Sequence, residues 1–285
     1  MIYGVRDGDE YLYHYTSAET ARGFILKNGT LKLGTYTTTN DPKEARDWQF
    51  SLWTAGSRDL GSYAFAETSK RFSDLLKRKA KLACFSTDTN PLTGDPIKDI
   101  LNRGFAKPRM WAQYGVNHTG VCLVFRKSAL LSAVRSGLKT TMLFAGPVAY
   151  RNRLILGKLG PGDFTIDIDL YESLGPTAYA RSHLQVHHHT LFFEKLQDWR
   201  DEAEWRIVAF TDADESEYAP FGDSLVGVMH GASIAEDISW AIAEMTDDAH
   251  VKHMGLTWKN SSPWYHFEAM RWSSTDRKSP WARRP

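Results

Sequence analysis

Two glutamates close together near a predicted strand are the residues of this sequence best suited to catalysis. Glu202 and Glu204 stand two apart, and the apolar run 207–210 follows them. Residues two apart on a strand face the same side, so both carboxylates could enter one cleft. Neighbouring carboxylates repel, which can raise the pKa of one of them and suit it to proton transfer or to stabilising a cation. The alternative is a surface charge ladder with Arg200 and Arg206, whose ion pairs would be weak.

A histidine and two hydroxyl-bearing residues end a short aromatic strand near the start of the sequence. His14, Tyr15 and Thr16 close the run that begins at Tyr11. An imidazole there can hydrogen-bond a ligand hydroxyl, and the adjacent hydroxyls can add secondary contacts. The alternative is a strand-end histidine that the backbone satisfies. The strand end is therefore a candidate ligand-binding position.

A polar turn follows the second predicted strand. Asn40 and Asp41 precede Pro42, a combination typical of a turn and of a helix entry. The alternative is that the Asn40 amide or the Asp41 carboxylate lines a pocket beside His14. The local sequence fits both interpretations.

An aromatic and polar segment, 110–120, leads directly into a predicted core strand. It contains Trp111, Tyr114 and His118. Trp and Tyr offer flat apolar surface with a polar handle, which suits stacking on a base or on a nicotinamide ring. The alternative is an aromatic corner that packs the sheet edge.

The consecutive histidines and the two cysteines are predicted to have structural roles. The consecutive histidines 187–189 do not share one helix face, and no acidic or cysteine partner stands at ligand spacing, so no metal is expected. Cys84 and Cys122 each lie in an apolar run and are predicted to be core thiols. Dinucleotide-fold, P-loop, serine-hydrolase and zinc-protease motifs are absent from the sequence.

The composition is that of an ordinary globular protein. Hydrophobic residues make up 42% and charged residues 24% of 285 positions, enough to bury a sizeable core. The 35 basic and 34 acidic residues nearly cancel, so the molecule as a whole has no field to steer nucleic acid. Neither a signal sequence nor a stretch of about 20 apolar residues is present, which predicts a cytoplasmic location and no membrane partner.

The pattern of elements predicts an α+β fold that positions these residues in one domain, 1–272, followed by a mobile basic tail, 273–285. Period-2 and apolar runs predict strands at 11–15, 30–37, 81–86, 121–125, 204–210 and 221–228. Helical spacing predicts helices at 18–26, from 43, and at 64–81, 128–136, 166–193 and 232–245. Segment 88–108 is predicted to be a long loop and segment 141–151 to be extended.

Taken together, these motifs resemble a large, mostly bacterial family of unknown function. The resemblance covers about residues 11–230 and rests on several motifs in one order. They are the segments Leu12-Tyr13-His14-Tyr15-Thr16-Ser17, Asn40-Asp41-Pro42 with Glu44, Cys84-Phe85-Ser86, and Met110-Trp111-Ala112 with Tyr114-Gly115, His118 and Gly120, followed by Lys195, Trp199, Glu202, Glu204 and Arg206.

The order of a histidine strand, a serine strand and a glutamate strand also resembles ADP-ribosyltransferases, including toxins that modify nucleic acids. This resemblance implies a split, twisted, mostly antiparallel sheet flanked by helices, with a cleft that binds NAD⁺. It implies that His14 binds the ribose on the nicotinamide side and that Ser86 supports the pocket. Glu204 would be the catalytic glutamate, and Glu202 would orient or deprotonate a protein or nucleic-acid acceptor. The chain departs from the best-known subfamilies, because it carries neither the full His-Tyr-Glu nor the full Arg-Ser-Glu set.

Three functional hypotheses follow from the sequence. The first is an NAD⁺-dependent ADP-ribosyltransferase-like enzyme, a toxin or phage-defence effector, with the segments around Asn40 and Trp111 as pocket walls. The second is a nucleic-acid-binding or processing protein that stacks bases on Trp111 and Tyr114. The third is a non-catalytic interaction module in which Glu202 and Glu204 are structural.

Overall fold

The fold is α+β and is built on one large, open, mostly antiparallel sheet. A computed structural model describes residues 10–39, 41–140, 142–152, 162–246 and 251–265. The strands are β1 (Tyr11–Thr16), β2 (Thr30–Thr35), β3 (Ser51–Trp53), β4 (Ala80–Ser86), β5 (Val121–Arg126), β6 (Leu143–Pro147), β7 (Ala149–Tyr150), β8 (Thr165–Asp167), β9 (Glu194–Lys195), β10 (Glu204–Phe210), β11 (Glu217–Pro220), β12 (Leu225–His230), β13 (Lys252–Lys259) and β14 (Ser262–Tyr265).

Ten of these strands form the large sheet. Its main path runs β11-β2-β4-β1-β5-β12-β13-β14, and β10 and β6 extend it from β4. The β12–β13 pair is parallel and the other pairs of this sheet are antiparallel. Two small parallel pairs, β3–β8 and β7–β9, lie outside it.

Helices cover both faces of the sheet. The α-helices are α1 (Ala18–Thr20), α2 (Leu26–Asn28), α3 (Pro42–Ala45), α4 (Phe65–Lys79), α5 (Pro96–Asp99), α6 (Pro108–Gln113), α7 (Lys127–Gly137), α8 (Ile168–Leu174), α9 (Pro176–Phe192) and α10 (Glu236–Glu244). A π-helical segment, Ala21–Ile25, joins α1 to α2. Local sequence sets the ends of this run, because the Ser17 hydroxyl caps its start and Gly29 ends it at a φ of 65°.

The apolar residues divide into three clusters because strand side chains alternate between faces. One cluster lies on one face of the sheet and packs against α7 and α10. The opposite face carries two clusters, one under α4 and α9 and one around the tyrosines of β1 and Trp111. The boundary between those two clusters follows the meeting of β4 with β1.

The sheet is split locally where β1 meets β4. On one edge β4 pairs with β10 along its whole length. On its other edge, Lys81 and Leu82 pair with β2 and Ser86 pairs with β1, so residues 83–85 lie between the two ladders. The imidazole of His14 bridges this opening, with its Nδ1 3.0 Å from the Cys84 carbonyl oxygen. The split that the resemblance implied is thus present at this junction.

Several predicted element types or boundaries are wrong. The predicted helix 166–193 begins as β8 and then breaks between α8 and α9, because Gly175 has a φ of 79° and Pro176 starts a new helix. The predicted loop 88–108 contains the short helix α5, and the aromatic segment 110–120 begins inside the short helix α6. Strands β11, β13 and β14 were not predicted at all. The proposed tail 273–285 lies outside the described residues.

Candidate functional site

A cavity of about 240 Å³ opens where the sheet is split. Side chains from both strands of the junction line it, together with residues of α3, α6 and the turn before β10. The lining residues are Tyr13, His14, Tyr15, Lys32, Thr39, Glu44, Leu82, Ala83, Cys84, Phe85, Ser86, Met110, Tyr114, Lys195, Glu202, Glu204 and Arg206. Residues that are remote in sequence, including His14, Ser86 and Glu204, therefore meet in one place.

Strand β10 presents Glu204 and Arg206 to this cavity. The two residues lie opposite Ser86 and Cys84 of β4 and share a face because they are two apart on the strand. The Arg206 guanidinium binds the Glu204 carboxylate through two nitrogens, with Nη2 3.0 Å from Oε2 and Nε on Oε1. Its Nη1 donates to the Phe192 carbonyl oxygen at 2.7 Å. Arg206 is thereby fixed and holds Glu204 in place.

Lys195 joins the two glutamates that the sequence singled out. Its Nζ lies 2.8 Å from Glu202 Oε2 and 2.7 Å from Glu204 Oε2. The hydroxyl of Tyr114 donates to Glu202 Oε1 at 3.2 Å. Both carboxylates and the ammonium group are buried. The two glutamates are therefore bridged by one cation.

A third carboxylate completes the buried ion network. Arg206 Nη2 also contacts Glu44 Oε1 from the other side, and both side chains are 1% exposed. Three carboxylates thus share two cations, which leaves a net charge of −1 when all five groups are ionised. Such a group favours a ligand that is neutral or positively charged.

The environment shifts the pKa values of Glu204 and Glu44 in opposite directions. Burial alone would raise the pKa of Glu204, but Arg206 and Lys195 outweigh it and hold that pKa at about 2. Burial raises the pKa of Glu44 above its ordinary value, although Arg206 and Lys195 act against the rise. Glu204 is a fixed negative charge, whereas Glu44 binds a proton more readily than an ordinary glutamate.

The convergence of Glu202 and Glu204 does not arise from strand spacing, as the sequence had suggested. Glu202 ends a 3₁₀ turn, Gln197–Glu202, and β10 begins only at Glu204. Between them Ala203 has a φ of 45°, in the left-handed region that L-residues seldom occupy. β4 holds this turn, because the Ser86 hydroxyl donates to the Glu202 carbonyl oxygen and the Thr87 amide donates to that of Ala203.

His14 is held as a neutral imidazole. The Cys84 carbonyl oxygen can only accept, so Nδ1 must carry the proton, which leaves Nε2 as an acceptor. Burial lowers the pKa of His14 despite the hydrogen bond to Cys84. The histidine is therefore able to accept a hydrogen bond from a ligand hydroxyl at neutral pH.

The structure brings together six of the predicted site residues and separates others from the cavity. His14, Tyr15, Ser86, Tyr114, Glu202 and Glu204 line it. Thr16, Asp41, Trp111 and His118 are not among its lining residues. Asp41 instead caps α3, and its Oδ1 accepts the Lys43 amide at 2.9 Å. Asn40 lies outside the described residues.

Trp111 and His118 of the aromatic segment pack against other side chains and do not line the cavity. Trp111 is fully buried, its Nε1 donates to the Phe105 carbonyl oxygen at 2.7 Å, and its ring meets Tyr15 edge to face. His118 stacks on Trp111 and contacts Trp258. Of the segment 110–120, Met110 and Tyr114 line the cavity. Trp111 and His118 therefore fit the alternative interpretation, an aromatic corner that packs against the sheet.

Three functional groups of the cavity were not singled out from the sequence. Glu44, Lys195 and Arg206 belong to the quoted family-like motifs, but charged residues are usually solvent-exposed, and nothing in their local sequence indicates burial. Only the fold shows that these charges meet.

The histidines 187–189 and the two cysteines contact other side chains of the protein. His187 Nδ1 lies 2.9 Å from Asp163 Oδ1, and His188 stacks on Phe144. Within the described ranges, no group of three or more His, Cys, Asp or Glu side chains is arranged to hold a metal ion. Cys122 is buried, whereas Cys84 is half-buried and lines the cavity. In the same ranges, no helix combines the length and apolarity needed to cross a membrane.

Comparison with known proteins adds one match. The model of a family described as "Protein of unknown function (DUF2971)" matches residues 110–207, which include most of α6, all of β9 and the start of β10. No curated protein and no solved structure matches the chain. The matched segment contributes Tyr114, Lys195, Glu202 and Glu204 to the cavity and is similar to a family whose activity is not assigned.

Proposed function

We propose that this chain is an NAD⁺-dependent ADP-ribosyltransferase-like enzyme that transfers ADP-ribose to a protein or nucleic-acid acceptor. The observation that carries the proposal is the convergence of His14, Ser86 and Glu204 on one cavity at a split in the sheet. A defence effector or toxin is the biological role most consistent with such an activity.

The reaction breaks the bond between ribose C1′ and the nicotinamide nitrogen. Nicotinamide leaves as a neutral molecule with the bonding electron pair, and the sugar develops positive charge. An acceptor nucleophile then forms the new bond to C1′ and releases its proton. A fixed, water-shielded negative charge stabilises such a transition state, and electrostatic stabilisation of this kind is usually the largest catalytic contribution. Glu204, with its pKa at about 2, supplies a charge that persists at any physiological pH.

The remaining groups receive roles from their geometry. The neutral His14 accepts a hydrogen bond from a ribose hydroxyl through Nε2. Ser86 holds the turn that carries Glu202, since its hydroxyl donates to the Glu202 carbonyl oxygen at 2.9 Å. Glu202, bonded to Tyr114 and Lys195, is the carboxylate left to orient or deprotonate the acceptor. Tyr15 adds an aromatic wall.

The cavity volume limits how NAD⁺ could bind. Small-molecule sites typically enclose ~300–1,000 Å³, and this cavity of about 240 Å³ lies just below that range. It therefore suits one end of a dinucleotide, with the rest extending outside. The net negative ion network favours the cationic nicotinamide end.

The nucleic-acid hypothesis relies on Trp111 to stack on a base, and the position of Trp111 does not allow this. Trp111 is fully buried and cannot present its ring to a base. Tyr114 remains half-buried and bonded to Glu202. We therefore propose nucleic acid only as an acceptor of ADP-ribose. Binding of nucleic acid to this protein that weakens steeply with salt would instead favour the nucleic-acid-binding hypothesis.

Purified protein incubated with NAD⁺ labelled in the adenylate half tests the proposal. We expect calorimetry to detect NAD⁺ binding, and we expect release of nicotinamide together with transfer of label to one of a panel of protein, RNA and DNA acceptors. Protein that neither binds nor consumes NAD⁺ with any acceptor contradicts the proposal. A fall in stability of Glu202→Gln and Glu204→Gln without any turnover in the wild type would favour a non-catalytic module instead.

A further inference from the structure

Glu44 is held in place by a short helix whose two ends are both fixed. Asp41 caps the start of α3 through the Lys43 amide. At the other end, Lys77 Nζ donates to the Glu44 carbonyl oxygen at 2.8 Å and also to that of Arg46. The Trp48 indole donates to the Lys43 carbonyl oxygen at 3.0 Å. A four-residue helix fixed in this way serves to aim one side chain, and that side chain lines the cavity.

Both oxygens of the Glu44 carboxylate are buried without a hydrogen-bond partner among the described residues, and Oε2 has no ion-pair partner there either. Oε1 is in contact with Arg206, whereas Oε2 has no donor there. Burying a carboxylate oxygen without a donor is expensive, which is also why burial raises the pKa of Glu44, and a donor from a ligand would satisfy this atom in the ionised form. The Glu204 carboxylate differs, because Arg206, Lys195 and the Cys84 thiol already occupy it.

The mouth of the cavity carries a positively charged side chain, in contrast to the carboxylates inside. Lys32 is exposed and belongs to the lining residues, on β2. An exposed ammonium group suits phosphate oxygens, whereas the three buried carboxylates repel them. The cavity is therefore polarised, with an acceptor inside and a cation at its edge.

We propose that Glu44 Oε2 is an inner recognition atom that accepts a hydrogen bond from a hydroxyl or amide N–H of the ligand, and that Lys32 binds its phosphates outside. The identification of this ligand as NAD⁺ rests on the proposed function. In that case the nicotinamide riboside end enters first and the pyrophosphate stays at the edge. Glu44 is then a specificity-determining residue for donor-bearing, non-anionic groups.

Replacement of Glu44 by Gln makes a sharp test, because the guanidinium of Arg206 has only donors. The amide oxygen of Glu44→Gln must stay on Arg206, so its NH₂ group takes the place of Oε2. The substitution converts the ligand-facing acceptor into a donor at nearly constant volume. Loss of one charged hydrogen bond corresponds to about a 10–100-fold weaker affinity.

Glu194→Gln is the matched control. Glu194 is also buried, lies 3.5 Å from Lys43 Nζ, and is not among the lining residues of the cavity. Both Gln variants are first compared by thermal unfolding. If Glu44→Gln is unfolded at assay temperature, Glu44→Asp, which keeps the charge but withdraws it from the ligand, replaces it.

The experiment measures the binding of nicotinamide riboside and of ADP-ribose by calorimetry. We expect Glu44→Gln to weaken nicotinamide riboside about 10–100-fold and Glu194→Gln to leave it unchanged. We expect Lys32→Ala to weaken ADP-ribose alone. Equal nicotinamide riboside affinity in wild type and Glu44→Gln overturns the inference while leaving the proposed function intact. Failure of the wild type to bind either probe overturns the inference, and the separate absence of NAD⁺ turnover would show that the proposed function fails too.

Discussion

Arg206 holds the carboxylate of Glu204, two residues before it on the same strand, through two nitrogens in a buried site. A residue pair at this spacing shares one face of the sheet, so the strand itself sets the contact. The consequence is a carboxylate that stays ionised and fixed in direction. In the proposed function, Glu204 therefore supplies a fixed charge and does not transfer a proton.

The first prediction concerns the stability of this ion network. Arg206→Met removes the cation shared by Glu44 and Glu204 and leaves two buried carboxylates without it, which is expected to cost about 3–5 kcal/mol. Urea unfolding at pH 7 measures the change. Lys70→Gln, which breaks an exposed ion pair with Asp74, is the control and is expected to cause no measurable loss. Equal effects of the two substitutions would contradict the description of the network.

The second prediction concerns a buried chain of hydrogen bonds away from the cavity. His230 Nε2 lies 2.8 Å from His253 Nδ1, and Ser239 and Thr246 hold the outer nitrogens at 2.9 and 2.8 Å. Burial lowers the pKa of His253 to about 4 and that of His230 well below its ordinary value. Both imidazoles are therefore neutral in the folded protein.

Since the unfolded chain takes up these protons near pH 6.5 and the folded chain does not, stability falls as the pH drops from about 6.5 towards 4. For His253 alone the loss at pH 5 is about 2 kcal/mol. The difference in unfolding free energy between pH 7 and pH 5 should therefore be about 2 kcal/mol smaller in His253→Gln than in the wild type. An unchanged difference would show that His253 does not contribute in this way.

The third prediction concerns the left-handed residue between the two glutamates. Ala203→Val places a β-branched side chain at a φ of 45° and is expected to destabilise the fold by about 1–3 kcal/mol. Ala203→Gly, which tolerates this conformation, is expected to remain close to the wild type in unfolding free energy. The reverse order of stabilities would rule out the turn geometry that brings Glu202 and Glu204 together.

The fourth prediction concerns thiol reactivity. Burial first, and then Glu204, raise the pKa of the Cys84 thiol, and burial also raises that of Cys122. Because the thiolate is the reactive form, both cysteines should label slowly with iodoacetamide at pH 8 in folded protein and fully in urea. Mass spectrometry after digestion separates the two sites. Rapid labelling of Cys84 in the folded protein would contradict its protected position.

The central strands could be predicted well from the sequence because each has a continuous apolar run and a clear boundary. Strand β10, for example, begins at Glu204 as predicted. Helix α9 was predicted too long because helical spacing continues across Gly175-Pro176, although this Gly-Pro pair ends one helix and starts the next. Strands β13 and β14 were missed because their own residue pattern is weak, although they pair with each other as a hairpin in which Lys259 lies opposite Ser262.

The candidate site was only partly predictable for a related reason. His14 and Glu204 could be chosen because their residue types stand out at strand ends. Glu44 could not, since its burial depends on Arg206, 162 positions later, and on the lysine that fixes α3. Trp111 was chosen for its ring, but the indole donates to a nearby carbonyl and fills a core instead. Long-range contacts, not local composition, decide such cases.

The most direct test of the central claim is the rate of nicotinamide release at saturating NAD⁺ in Glu204→Gln relative to the matched control Glu194→Gln. Both variants must first be shown to be folded at assay temperature, with Glu204→Asp as the substitute if the first is not. We expect Glu204→Gln to lower kcat by about 10²–10³ and Glu194→Gln to keep the wild-type rate. A folded Glu204→Gln protein that releases nicotinamide as fast as the wild type would contradict the central claim.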